Sequence, residues 1–512
     1  MAEQLEFEHS KSRQFRSYNI LMILLMSLGS IGYGYNASII ATTLAQPSFI
    51  SYFELDTRPD GTELIATTNG LYQAGGFLAV FSVSWLADRW GRRFAIGISA
   101  LINLISGAGL TGSVHIGMFI FFRFLAGAGA FMIVAAVPIW MNEVVPPSVR
   151  GVLVDCHCVG LLIGYTSATV IGYGFFHLPP DNNGGWRGPL SFQCLPVALL
   201  LIGIYWMPES PRWLISQDRI EEAEKVLNKL HAPEEARIEL QQIRTAIDID
   251  RHLEKSWWSM FAKKSYRKRS FLAMGMAASI QTSGILVVNN YGPTIYASLG
   301  FDTNKQLIYQ IGWCCTALGT GIMSFFIIDR FRRPTLLALG VGGCASCLVI
   351  LCGLIGKYAS SPEKLGNPNR PALNAAVGMI YLLTAFYQLG LDGVQFAYLG
   401  ELFPNQIRAK GMVLGIATIC GMNIMWLQSA PVAFKEIGWK FYICFFVPGL
   451  IAATIIWFYF PDTLGVPLEE VAKLFGDHDE LFGPETIIQE KSRQSEELPK
   501  QDISTHVETA SV

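Results

Sequence analysis

"DRWGRR" (residues 88–93) stands between two apolar windows and returns about 240 residues later as "DRFRRP" (329–334). Two more pairs follow in the same order. "EVVPPSVRG" (143–151) is echoed by "ELFPNQIRAKG" (401–411), with Glu and Arg seven residues apart in both copies, and "PES" (208–210) by "PDT" (461–463). Three ordered pairs at offsets of about 240 to 260 residues mark an internal duplication, and the repeated loops divide what lies around them into equivalent halves.

What surrounds those loops is almost wholly apolar. Of 512 residues 51% are hydrophobic and 15% charged, with 12 Trp and 32 Phe, a balance that places most of the chain in lipid. A helix needs roughly 20 residues to cross about 30 Å of hydrocarbon. Twelve windows meet that need: 18–40, 65–87, 94–112, 115–139, 151–173, 188–207, 271–296, 307–328, 335–357, 375–399, 408–431 and 440–460. They fall as six plus six. The predicted plan is an all-α membrane protein with a tail at 1–17, a six-helix bundle over 18–207, a helical linker over 208–270, a second bundle over 271–460 and a tail at 461–512.

Residues 1–17 hold acids and bases and no apolar core of the kind a cleavable signal has, so the first span is expected to direct insertion. Lys and Arg in short loops mark the cytoplasmic side. Arg89, Arg92 and Arg93 follow the second span, Arg330, Arg332 and Arg333 the eighth, and Arg408 and Lys410 the tenth, on the same side as Lys263, Lys264, Arg267, Lys268 and Arg269 of the linker. Both termini are therefore expected in the cytoplasm, with the chain in the plasma membrane. The ten Cys lie mainly inside apolar spans, where thiols act as small hydrophobes. A net charge of −2 carries no message about nucleic acid, and no nucleophile, metal cluster or phosphate loop emerges, so neither enzyme, metal nor cofactor is expected.

Two bundles that rock about a central site can expose it to each side in turn. The loop charges Asp88, Arg92, Arg93, Glu143, Arg150, Glu209, Arg212, Asp329, Arg333, Glu401 and Arg408 are then candidates for ion pairs that hold the bundles together in one state and break in the other; alternatively the bases are topology anchors alone. The glycine runs at 70–76, 127–129 and 340–343 sit inside spans and follow no strand, which points to close helix packing and not to nucleotide loops.

"PESPRWLI" (208–215), "PDTLGVPLEEV" (461–471) and "RFLAGAGA" (123–130), with the repeated loops, resemble the sugar porter branch of the major facilitator superfamily over roughly residues 15–475. The resemblance implies a twelve-helix, alternating-access transporter of a sugar or sugar-like solute. The chain is expected to work as a monomer in the bilayer. In proton-coupled relatives an Asp in the first span, near an Arg in the fourth, takes up and releases the proton; the matching residues here are Asn36 and Arg123. An amide does not titrate, so the resemblance points to facilitative transport. Asp392, an acid at membrane depth, is the alternative proton carrier.

Family positions for solute contacts fall on Asn36, His157, Cys158, Gln281, Asn290, Tyr291, Gln388, Gln395, Phe396 and Asn423. Several depart from the family pattern: Ile280 and Leu286 replace amides, Asn290 with Tyr291 replaces a Tyr pair, Cys158 stands for a Gln and Phe396 for a Trp. A site that reads hydroxyls rejects mismatched ligands steeply, so a polyol or glycoside, or a less polar metabolite, fits better than a hexose. Gln281, Gln388 and Gln395 could equally serve as hydrogen-bond glue between helices. Two other functions stay open: export of a small metabolite, and a nutrient sensor that no longer transports.

Overall fold

In hydrocarbon a backbone amide finds no water to bond, so every crossing segment must close its own hydrogen bonds as helix. The computed structural model describes residues 17–144, 150–179, 182–230, 233–251, 257–328, 330–359, 369–403, 407–464 and 475, and among these no strand occurs. The first half holds α1 (Ser17–Ala45), α2 (Gly61–Trp90), α3 (Arg92–Thr111), α4 (Ile116–Val144), α5 (Arg150–Phe176) and α6 (Gly184–Trp206). The second holds α7 (Lys264–Ser298), α8 (Thr303–Ser324), α9 (Arg333–Tyr358), α10 (Arg370–Leu402), α11 (Arg408–Glu436) and α12 (Gly438–Tyr459).

Eleven of these are long and apolar enough to cross a membrane; α8 is long enough but too polar. Its polarity has a use inside the bundle. Pro293 has no N–H for the carbonyl of Asn289, four residues earlier in α7, and the buried Gln310 of α8 supplies the missing donor from its Nε2 at 3.2 Å. A side chain at Gly292 would run into Gln310, so the glycine admits the contact.

Each half has its own core, centred on Trp140 and Trp186 in the first and on Tyr296, Tyr398 and Phe445 in the second. Two close crossings build the first: Gly34 and Gly164 let α1 lie against α5 backbone to backbone, and Gly75 with Gly127 do the same for α2 and α4. Across the divide α2 packs on α11, α5 on α8, and α1 on α7. Val413, Ile416 and Cys420 of α11 join the first half's core, while Leu44 and Ile65 pack on the second half's.

The linker expected over 208–270 is helical in separate segments. It forms helices Ile220–Leu230 and Pro233–Arg251, the second starting at a proline that suits a first helical turn. Ala223 and Ile243 bury against Trp213, Leu214 and Ile215 in a small separate core. Trp213 donates from its ring nitrogen to the carbonyl of Asp88 at 2.9 Å, and Asn19 reaches the carbonyl of Leu230 at 3.0 Å, tying the linker to the first half. The seventh helix also begins earlier than the window at 271, at Lys264, because Arg269 is buried and donates to the carbonyl of Leu402 at 3.2 Å.

Candidate functional site

The repeated loops make the same construction twice. Arg92 grips Glu143 with two bonds, 2.9 and 3.0 Å, and donates to the carbonyl of Ala87 at 2.9 Å; Arg333 grips Glu401 at 2.9 and 3.3 Å and donates to the carbonyl of Ile328 at 2.7 Å. Glu209 accepts the backbone N–H groups of Arg92 and Arg93 at 2.9 and 3.2 Å at the start of α3, and Asp462 accepts that of Arg333 at 3.2 Å at the start of α9. An acid at a helix N-terminus satisfies donors the helix leaves open. Burial pushes the Glu209 carboxyl up, against the pull of those N–H donors. Trp140 and Tyr398 complete the parallel by donating to the carbonyls of Pro208 and Pro461, both at 3.1 Å.

These pairs were expected to join the two bundles. Instead Arg92–Glu143 and Arg333–Glu401 each tie helices of one half, because the duplicated sequence places both partners within the same bundle. Asp88 lies 3.3 Å from Arg92, Arg93 donates to the carbonyl of Tyr205, Arg408 donates to that of Phe403 at 3.5 Å, and Arg212 is exposed. The side chain of Arg150, and Asp329, lie outside the described residues.

Between the halves lies a cavity walled by Tyr33 and Ala37 of α1, Tyr72 and Gln73 of α2, Phe131 and Val134 of α4, and Leu161 and Tyr165 of α5. From the second half come Gln281, Leu286 and Asn290 of α7, Tyr387, Asp392, Gln395 and Phe396 of α10, and Ile416, Ile419 and Asn423 of α11. Two breaks in helix geometry set this wall. α7 is interrupted at Gly284, whose φ of 73° a side chain would resist, and again at Tyr291 with φ −120° and ψ 18°. α10 widens to a π turn over Gln388–Asp392, a feature frequent at functional sites, just where the acid meets the cavity.

Of the residues singled out from sequence, Gln281, Asn290, Gln395, Phe396, Asn423 and Asp392 stand on this wall together. Five do not. His157 is buried and shares a 2.6 Å hydrogen bond with Ser30, fastening α5 to α1. Tyr291 turns its hydroxyl to the carbonyl of Leu427 at 3.0 Å, while Cys158 and Gln388 lie off the wall. Asn36 sits behind it, fully buried, donating to Asn103 at 2.7 Å and accepting from Arg123 through its backbone and side-chain oxygens at 3.2 and 3.3 Å.

Arg123 is itself fully buried, with its guanidinium 4.3 Å from the centre of the Tyr72 ring. It has no carboxylate partner among the described residues, and its Nε and Nη2 make no hydrogen bond there. The aromatic wall of Tyr33, Tyr72, Phe131, Tyr165 and Tyr387 escapes sequence reading, since an aromatic inside an apolar span looks like core. Gln73 does carry a signal: with Asn69 it is one of two amides in the middle of such a span.

Residues 22–475 match the family described as Sugar (and other) transporter. The chain is 29% identical over 487 residues to an MFS-type transporter, criB, of Aspergillus cristatus, a match covering 93% of this chain and 98% of that one. It is 30% identical over 503 residues to a probable quinate permease of Aspergillus clavatus, covering 94% and 92%. Its structure superposes on the inward open xylose transporter XylE from E. coli with a TM-score of 0.73 at 22% identity, covering 89% and 100%. Against the proton:xylose symporter XylE bound to 6-bromo-6-deoxy-D-glucose the TM-score is 0.74 at 23% identity, covering 90% and 99%.

Proposed function

Because the chain belongs to the sugar (and other) transporter family, and so is a multi-pass membrane transporter of the major facilitator fold and not an enzyme, we propose that it is an alternating-access carrier of a sugar-like ring solute. Such a solute is a polyol or glycoside that it equilibrates without proton coupling at the first span. One observation carries this reading: a single cavity takes its wall from both halves, with amides of Gln73, Gln281, Asn290, Gln395 and Asn423 spaced among aromatic rings. Amides offer donor and acceptor to hydroxyls, and flat rings take the C–H face of a cyclic solute. The replacement of family amides by Ile280 and Leu286, the latter on the wall, favours fewer hydroxyls than a hexose has.

Rocking of the halves about this cavity exposes it to one side and then the other. Each half moves as a unit because its loop arginine and helix-end acid are bonded within it. The proton-free step rests on Asn36, whose amide is engaged by Arg123 and Asn103 and has no acid to lend. On this reading the carrier works in the plasma membrane with both termini cytoplasmic, a topology supported by the Lys and Arg clustered in alternate short loops of the sequence.

Purified protein in liposomes, tested by counterflow with labelled polyols, pentoses, glycosides and quinate, should exchange a member of this set until inside and outside concentrations match. Collapse of that uptake by a protonophore, or accumulation that follows an imposed pH gradient, would remove the facilitative reading.

A further inference from the structure

Among the described residues the cavity wall holds a carboxylate and no counter-ion. Asp392 faces the cavity from the π turn of α10, and the hydrogen bond it accepts is a long one, 3.5 Å, from Nε2 of Gln395. No Lys, Arg or His is among the residues lining the cavity. Arg123 is turned away, stacked behind Tyr72 and bonded to Asn36. A carboxylate taken from water into so apolar a surround requires a partner of opposite charge or a proton.

The rest of the wall is arranged for a cation as well. Tyr33, Phe131, Tyr165 and Phe396 line the space, and aromatic faces attract ammonium groups, most strongly when water is excluded. The oxygens of Gln73, Gln395 and Asn423 are buried and make no hydrogen bond among the described residues. A protonated amine, with N–H donors and no acceptor, is the complement of such a surface.

We propose that the solute carries a protonated amine, and that Asp392 is its binding residue: the ammonium donates to the Asp392 carboxylate against the aromatic wall while ring hydroxyls, where present, meet the side-chain amides of the wall. This deepens the carrier reading and rests on it. Binding is reversible and involves no proton transfer through the protein.

The test uses full-length protein in detergent micelles and two probe series of constant skeleton, glucosamine, N-acetylglucosamine and glucose, and tyramine, N-acetyltyramine and tyrosol, with quinate as the carboxylate. Calorimetric titration should show at least one free amine binding tenfold or more tightly than its own amide and alcohol. Asp392→Asn should level the amine with its alcohol, and Asp392→Glu should retain the preference; size-exclusion profile and unfolding temperature report that each variant folds. Four results would overturn the proposal: equal affinity for amine and alcohol, tighter binding of quinate, an amine preference that survives Asp392→Asn, or no amine binding at all. Counterflow of neutral ring solutes alongside any of these would leave the carrier reading standing and end only the assignment of the amine.

Discussion

Asn36 gives Arg123 two oxygens where a carboxylate would give a salt bridge, and the guanidinium keeps two nitrogens unbonded at zero exposure. A buried cation of this kind is costly unless paired. Asn36→Asp would put an acid in contact with it and a titrating group next to the cavity residue Ala37. One proton crossing 100 mV supplies about 2.3 kcal/mol, more than the roughly 1.4 kcal/mol that tenfold accumulation requires. Uptake by the variant in liposomes should therefore respond to an imposed pH gradient and exceed equilibration by up to tenfold or more, whereas the parent stays at equilibration. The amide itself was legible in sequence, because the position follows from "IGYGYNAS" (31–38). Its contact with Asn103 was not, since a partner 67 residues away is chosen by how α1 and α3 cross.

The elements that shape the site are the irregular ones. α7 bends where Pro293 withholds an N–H, and α8 repairs the loss through Gln310. Gln310→Leu keeps the volume and removes the donor, leaving the Asn289 carbonyl exposed to an apolar surround; a buried polar group left without its partner costs about 1–3 kcal/mol. Thermal unfolding of the variant in detergent should shift down accordingly, and Gln310→Met, of similar volume and also without a donor, should shift it down as well. Spans as lengths of apolar chain were readable, and so were the glycines that let helices touch. The low apolarity of α8 and the early start of α7 at Lys264 show where the rule of 20 apolar residues fails. A polar residue satisfied by a neighbouring helix costs little in the bundle but counts fully against a hydropathy window.

At the scale of the molecule, transport requires the halves to part on each side in turn, so fixing them to each other must stop it. Gln428 of α11 lies 3.5 Å from Thr67 of α2 across the divide. Thr67→Cys with Gln428→Cys, oxidised to a disulfide, should abolish counterflow, and dithiothreitol should restore it; each single variant should be insensitive to both reagents. Continued transport by the oxidised pair would mean that α2 and α11 do not separate at this level. The sequence by itself determined the number of halves, their order and the chemistry repeated in their loops, because apolar length and duplicated charges act locally. Only the tertiary structure decided that the repeated ion pairs close inside each half, that His157 fastens α5 to α1 and not the solute, and that Asp392 shares a wall with aromatic rings from the other bundle. Those outcomes depend on which helix faces lie together, and a face is set by the rotation and crossing of packed helices, which no single stretch of chain contains.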